Sequence, residues 1–205
     1  RAVQPLIKTL EDENSEVRIA AVGALGGIGD KRAVEPFIKM LEDEDDDYIR
    51  AVANMHLDKL GWKPETDEAK IAFLIDKGDW AECVSLGEAA VEPLITELRG
   101  GKTSVMTMTG KQRASVISKA LVEIGDKRAV KPLIEALENG DVLAVAAAGA
   151  LGKFGDQRAV KPLIKKLEDK SKAVRVATTW ALVGLGDKRA VQPLIKTLED
   201  ENSEV

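Results

Sequence analysis

The string Arg-Ala-Val-x-Pro recurs along this chain and limits its fold more than any other feature. It stands at Arg1–Pro5, Arg32–Pro36, Arg128–Pro132, Arg158–Pro162 and Arg189–Pro193, with an Ala-Ala-Val-Glu-Pro variant at Ala89–Pro93. Gly-Asp precedes four of the copies, at Gly29-Asp30, Gly125-Asp126, Gly155-Asp156 and Gly186-Asp187. The seven prolines, at positions 5, 36, 64, 93, 132, 162 and 193, are spaced by 31, 28, 29, 39, 30 and 31 residues. A steady beat of about thirty residues marks an array in which each unit is one supersecondary element.

Each unit reads as two helices. In the first, Val3, Leu6, Ile7 and Leu10 lie at helical spacing and form one apolar stripe. Pro5 falls in the first turn, where its missing N–H costs little. Glu11 to Ser15 form a polar turn. A second helix then carries Val17, Ala21, Ala24, Leu25 and Ile28 on one face. Gly29 is placed to close it in a left-handed cap, and Asp30 to cap the next helix. Neither helix can bury its stripe alone, so neighbours must stack. The predicted architecture is all-α: a right-handed α-solenoid, or superhelix, of stacked antiparallel helix pairs, about six repeats with one degenerate. Composition agrees. Aromatics are 3% of residues against 44% hydrophobic, so the core falls to Ala, Leu, Val and Ile. Small residues such as Ala20, Gly23, Ala146 and Gly149 in the second helices permit close approach of helix axes.

Several function classes drop out on composition. No stretch reaches the roughly 20 apolar residues of a membrane span. A formal charge of -5 argues against a surface built to neutralise phosphates. One cysteine, Cys83, and one histidine, His56, exclude a disulfide within the chain and a standard zinc cage. No secretory or transit pattern opens the sequence, so a cytoplasmic location is expected. The start at Arg1 without a methionine fits a piece of a longer protein.

The pattern RAVxPLIxxLEDxxxxVRxxAxxALxxxGD resembles the short HEAT-like repeat first grouped with phycobilisome lyases, and also the consensus of designed α-helical repeat libraries. Copies at 1–30, 32–62, 128–156 and 158–187 match it well, and Ala89–Asp126 matches at its two ends. The resemblance implies one repeat domain over 1–205. Its units would be 1–30, 31–62, a degenerate 63–88, 89–126, 127–156, 157–187 and a half repeat at 188–205. It also implies a ladder of Asp12, Asp43 and Asp169 with Arg18, Arg50 and Arg175 linking successive repeats. Arginine is missing at Ala114 and Ala144, where such a ladder is interrupted.

Three segments depart from the pattern. At 62–88 a helix starting near Thr66-Asp67 runs through Ile71, Phe73, Leu74 and Ile75, breaks at Gly78 and is followed by a short helix. Trp62, Phe73 and Trp80 read as filling the space left by missing turns; the alternative is a bend that shapes a ligand pocket. The stretch 99–112 is a polar loop with Met106 and Met108. Its Gly101-Lys102-Thr103 is no phosphate loop, because Thr96 stands where a glycine is required and a helix precedes it. The six acids Glu42 to Asp47 lack the glycine and distal glutamate of a calcium loop and read as a solvated turn.

Catalytic signals are absent. His56 reads as a core histidine and Cys83 as a structural thiol. HEAT-repeat hydroxylases hold iron with His-Glu pairs, and the chain contains none. No catalytic, metal or cofactor residue is assigned, and no cofactor is expected. In the resembling arrays the second helices line the concave face. There Ile19, Met55, Lys59, Lys119, Glu123, Lys153 and Trp180 are the candidate partner-binding residues, with Trp180 the best anchor. The expected function is a non-enzymatic scaffold binding a protein or peptide on that face. The alternatives are a bilin-lyase-like enzyme or enzyme accessory and, more weakly, nucleic-acid binding, for which three lysines in an acidic chain make a poor case.

Residues 1–17 and 189–205 are identical at all 17 positions. The last first-type helix has no partner helix of its own, and head-to-tail self-association is expected there.

Overall fold

The computed structural model describes residues 2–43, 46–100 and 109–199. Among these, all regular structure is helical: thirteen α-helices joined by turns and short 3-10 segments. They divide into two compact units, one up to Glu82 and one from Cys83 onward.

The first unit holds α1 (Val3–Thr9), α2 (Ser15–Ile28), α3 (Val34–Asp43), α4 (Asp47–Lys59) and α5 (Asp67–Lys77). Helices pair in chain order, α1 with α2 and α3 with α4, and α2 packs on α4. Local chemistry sets the boundaries. The Asn14 side chain accepts from the Glu16 N–H at the start of α2, and Gly29 closes the helix at φ 70°. Asp46, from the acidic run, accepts from the N–H groups of Tyr48 and Ile49 and starts α4. Thr66 caps α5 and Gly78 ends it in the left-handed region, as the sequence pattern predicts. The core joins Val22, Leu25, Phe37, Ile49, Ala53 and Leu57. Trp62 meets Phe73 edge-on at 5.5 Å, filling the side of the degenerate repeat. The buried Asn54 amide donates to the Phe73 carbonyl at 3.2 Å.

The six-residue helix α6 (Trp80–Ser85) runs across the unit boundary in sequence. The second unit continues with α7 (Val91–Leu98), α8 (Gly110–Ile124), α9 (Val130–Ala136), α10 (Gly140–Phe154), α11 (Val160–Lys166), α12 (Lys172–Leu185) and α13 (Val191–Glu199). The second helices α8, α10 and α12 pack side by side in order. Its α10–α12 contact is close. A Cβ on Gly152 would lie 2.7 Å from the Ala181 Cα.

The Gly-Asp signal builds a clasp. The carboxylates of Asp30, Asp126, Asp156 and Asp187 cap the 3-10 turn that follows and bind the arginine two residues on. Asp30 and Arg32 meet at 2.6 Å, and Asp187 and Arg189 at 2.7 Å. The arginine side-chain bond, then its backbone N–H, holds Asp30, Asp156 and Asp187 down to about 2. Arg189 reaches Gln157 of the preceding repeat at 3.1 Å, so the clasp also touches its neighbour.

The arginines assigned to a ladder make a bond that residue types alone do not announce. Arg18 donates to the backbone carbonyls of Asp12 and Glu13, at 2.9 and 3.1 Å, in the turn of its own repeat. Arg175 does the same with Asp169 and Lys170 at 3.0 and 3.2 Å. The carboxylates of Asp12 and Asp169 accept from Asn14 and Ser171 N–H groups and shape those turns. Arg50 is half-buried at the matching place of α4, and the Asp43 side chain lies outside the described residues.

Ion pairs between successive repeats run along the first helices. Lys39 pairs with Glu11 at 3.6 Å, and Lys196 with Glu168, in the matching places, at 3.0 Å. Glu135 and Arg99 occupy these same two places with the charges exchanged, at 2.9 Å. Lys166, one place further on, pairs with Glu138 at 2.9 Å.

Candidate functional site

In every second helix two residues four apart stand on one outward line. On α2 these are Gly23 and Gly27, on α4 Met55 and Lys59, on α8 Lys119 and Glu123, on α10 Gly149 and Lys153, and on α12 Trp180 and Gly184; all are exposed. The residue one turn earlier is less open in four of the five: Ile19, Val145 and Val176 are half-buried and Ala51 buried, while Ser115 on α8 is exposed. The candidate row is thus two positions deep except on α8, and Ile19 forms its edge.

Trp180 dominates the row in the second unit, with 70% of its surface exposed. Its counterpart on the adjacent α10 is Gly149, and a Cβ there would touch nothing within 4 Å. The matching place on the adjacent helix is therefore bare backbone. Val183, on the turn after Trp180, is also exposed. Lys119 and Glu123 answer each other at 3.7 Å. Lys153, one turn past Gly149, has no ion pair among the described residues. The arrangement is an aromatic wall, a side-chain-free floor and a cation within one or two turns. That is the make-up of a surface that grips an apolar side chain and steers it with one charge.

In the first unit Met55 is exposed on α4, with Lys59 on the next turn. A cavity of about 720 Å³ lies elsewhere in this unit, between α1 and α3, lined by Ile7, Leu10, Pro36, Ile38 and Met40 among others. Sequence reasoning did not mark it, because Ile7 and Leu10 read as core stripe and Pro36 as part of the repeat motif. In the second unit, Ala114 and Ala144, which stand where Arg18 and Arg175 clasp their turns, each line a cavity, of about 380 and 530 Å³. An alanine supplies no guanidinium to fill the space beside the turn. Gly101-Lys102-Thr103, Met106 and Met108 lie outside the described residues.

His56 is buried at 7% exposure, stacked on Phe37 with ring centroids 6.2 Å apart. Its Nδ1 has no hydrogen-bond partner. Burial first, and the charge of Lys59 second, hold its pKa below the ordinary value. Cys83 is a buried free thiol. Among the described residues no group of His, Cys, Asp and Glu could hold a metal ion, and no helix is long and apolar enough to cross a membrane.

A model of HEAT repeats matches residues 1–58 and 140–205. The chain belongs to the HEAT repeat family. A second model, the PBS lyase HEAT-like repeat, matches residues 117–139 of this HEAT array, in line with the short repeat type read from its consensus. No curated protein matches the chain. The HEAT assignment accounts for the helix pairs and their turns. It does not single out the outward row, whose residues differ from repeat to repeat while most buried positions stay aliphatic.

Proposed function

We propose that this HEAT array is a non-enzymatic scaffold that binds a protein or peptide on the outward row of its second helices, the concave face of such arrays. HEAT repeats serve generally in protein interaction, which supports the class of function. The observation that carries the reading is Trp180. A 70% exposed indole, with side-chain-free backbone at the matching place Gly149 of the adjacent helix, is a large open apolar surface. A lone aromatic of this kind commonly carries a disproportionate share of interface energy. Lys153 supplies charge selection on the same face, and Lys119 with Glu123 forms a polar rim. Met55 and Lys59 offer an adaptable apolar contact and a cation on the first unit's own row.

The test is selection of peptides from a random library on the immobilised chain, followed by affinity measurement against Trp180→Ala. The substitution should weaken the selected peptides at least tenfold, since buried interface tryptophans are worth about 2 kcal/mol or more. Selected peptides that bind Trp180→Ala equally well would remove this residue from the site.

A second reading, a bilin-lyase-like enzyme or enzyme accessory, draws on the PBS lyase HEAT-like match at 117–139. Chain incubated with a bilin and an acceptor protein should then yield a coloured covalent adduct on the acceptor. Nucleic-acid binding is the weakest reading in a chain of charge -5, and salt-sensitive retention of DNA would be its mark. A cytoplasmic location belongs to the same proposal.

A further inference from the structure

The two units carry opposite charge. The described residues of the first hold 10 Lys and Arg against 17 Asp and Glu, and those of the second hold 18 against 13. The overall charge of -5 therefore hides a basic second unit. Its field attracts an acidic partner and repels a basic one.

One contact shows where this charge meets the outward row. A Cβ on Gly152 of α10 would lie 2.7 Å from the Cα of Ala181 on α12. Lys153 follows Gly152, and Trp180 precedes Ala181. Consecutive Cα atoms are about 3.8 Å apart, so the Cα atoms of Lys153 and Trp180 lie within about 12 Å of each other. Both residues are exposed, and the other places of the row on these two helices are Gly149 and Gly184. No side chain of the row stands between the indole and the ammonium. Lys119 and Glu123, the remaining charges of the row in this unit, answer each other at 3.7 Å, whereas Lys153 has no ion pair among the described residues.

We propose that the partner of this face is an acidic peptide segment that seats a large apolar side chain against Trp180 and pairs a carboxylate with Lys153. The proposal rests on the concave-face reading above and gives it a chemistry. Along an extended segment, side chains two residues apart share a face at roughly 7 Å. The acid therefore stands two residues from the apolar anchor. The ion pair selects the partner, and the basic unit around it speeds the encounter. A nucleic-acid strand fits this row less well, because Glu123 opposes a line of phosphates.

Peptides selected from a random library on the immobilised chain should carry Asp or Glu two residues from a Trp, Phe, Leu or Met. Lys153→Glu, a change at an exposed position, should weaken those peptides by about tenfold or more. Selection repeated on this variant should exchange the acid for Lys or Arg and keep the apolar residue. Lys165→Glu makes the same charge change on the first helix α11, also at an exposed position, and should weaken the peptides by less than about threefold. Peptides that are lost on Trp180→Ala but indifferent to Lys153→Glu would leave the scaffold reading standing and overturn the acidic partner. Equal losses at Lys153 and Lys165 would overturn it too, since only the total charge of the unit would then matter. Peptides indifferent to Trp180→Ala bring down the reading itself and this proposal with it. Single-stranded DNA retained by the chain and lost on Lys153→Glu, with no peptide selected, would replace the peptide by a nucleic acid.

Discussion

The two units solve one packing problem in different ways. In both, a residue near the end of one second helix meets a residue in the middle of the next. In the second unit the pair is Gly152 and Ala181, and backbone approaches backbone. In the first the pair is Gly26 and His56, and an imidazole lies over the space where a side chain would be. The first solution needs two small residues and gives a close apolar contact. The second buries a ring whose Nδ1 finds no partner, at a cost that mutational data put at about 1–3 kcal/mol for a buried polar group. The repeat grammar thus fixes where helices touch and leaves open what they touch with.

The largest expected effect follows from that contrast. Gly152→Ala places a methyl 2.7 Å from a backbone carbon, which no rotamer change can relieve. It should cost about 3 kcal/mol in denaturant unfolding, the upper end of overpacking. Trimming Ala181 to glycine should not rescue it, because the Cα remains. Gly26→Ala meets only the His56 side chain, so it should cost less, about 1–2 kcal/mol. In a His56→Ala background the sign should reverse. The added methyl then has room, and alanine exceeds glycine in a helix by about 1 kcal/mol. Equal behaviour of the two glycines in this cycle would end the comparison.

The next effect is confined to the first contact and appears with pH. The folded His56 pKa lies below its ordinary 6.5, through burial first and Lys59 second. Between those two pKa values the unfolded chain holds a proton that the folded chain lacks. Stability is therefore full above pH 6.5 and falls as pH drops toward the folded value, by at most about 1.4 kcal/mol per pH unit for one proton. His56→Phe keeps a ring over Gly26 and on Phe37 but cannot titrate. Unfolding midpoints between pH 7 and 5.5 should slope for the parent and lie flatter for the variant. Parallel lines would show that the imidazole is solvated after all.

Much of the fold was legible because the repeat states it several times. The proline beat, the Gly-Asp stop and the polar turn place α2 at Ser15–Ile28, close to the Val17–Ile28 span read from apolar spacing. What stayed hidden depends on contacts between units. Ala24 and His56 hold the same place, yet one is exposed and the other buried, because His56 lies against Gly26 of another second helix and no second helix of the described residues covers Ala24. Alignment of repeats makes such residues look equivalent. The carbonyls that Arg18 and Arg175 bind were hidden for another reason: every residue has a backbone carbonyl. Trp180 was legible as a position on the outward row. Its openness was not, since that depends on the empty surface beside it at Gly149.

The smallest effect concerns the ion pairs along the first helices, where the units again differ in content and not in place. Lys39 faces Glu11 in the first unit, and Glu135 faces Arg99 in the second with signs exchanged. Both pairs are well exposed, so each should contribute no more than about 0.5 kcal/mol and fade with added salt. Lys39→Glu alone sets two acids against each other and should lower the thermal midpoint slightly. Adding Glu11→Lys should restore it, because the double variant adopts the polarity that Arg99 and Glu135 already use. A double variant no better than the single one would mean that Lys39 acts through its aliphatic stem over the groove it lines with Ile7 and Pro36. Recovery would show that the array requires opposite charges at these two places and is indifferent to which helix carries which.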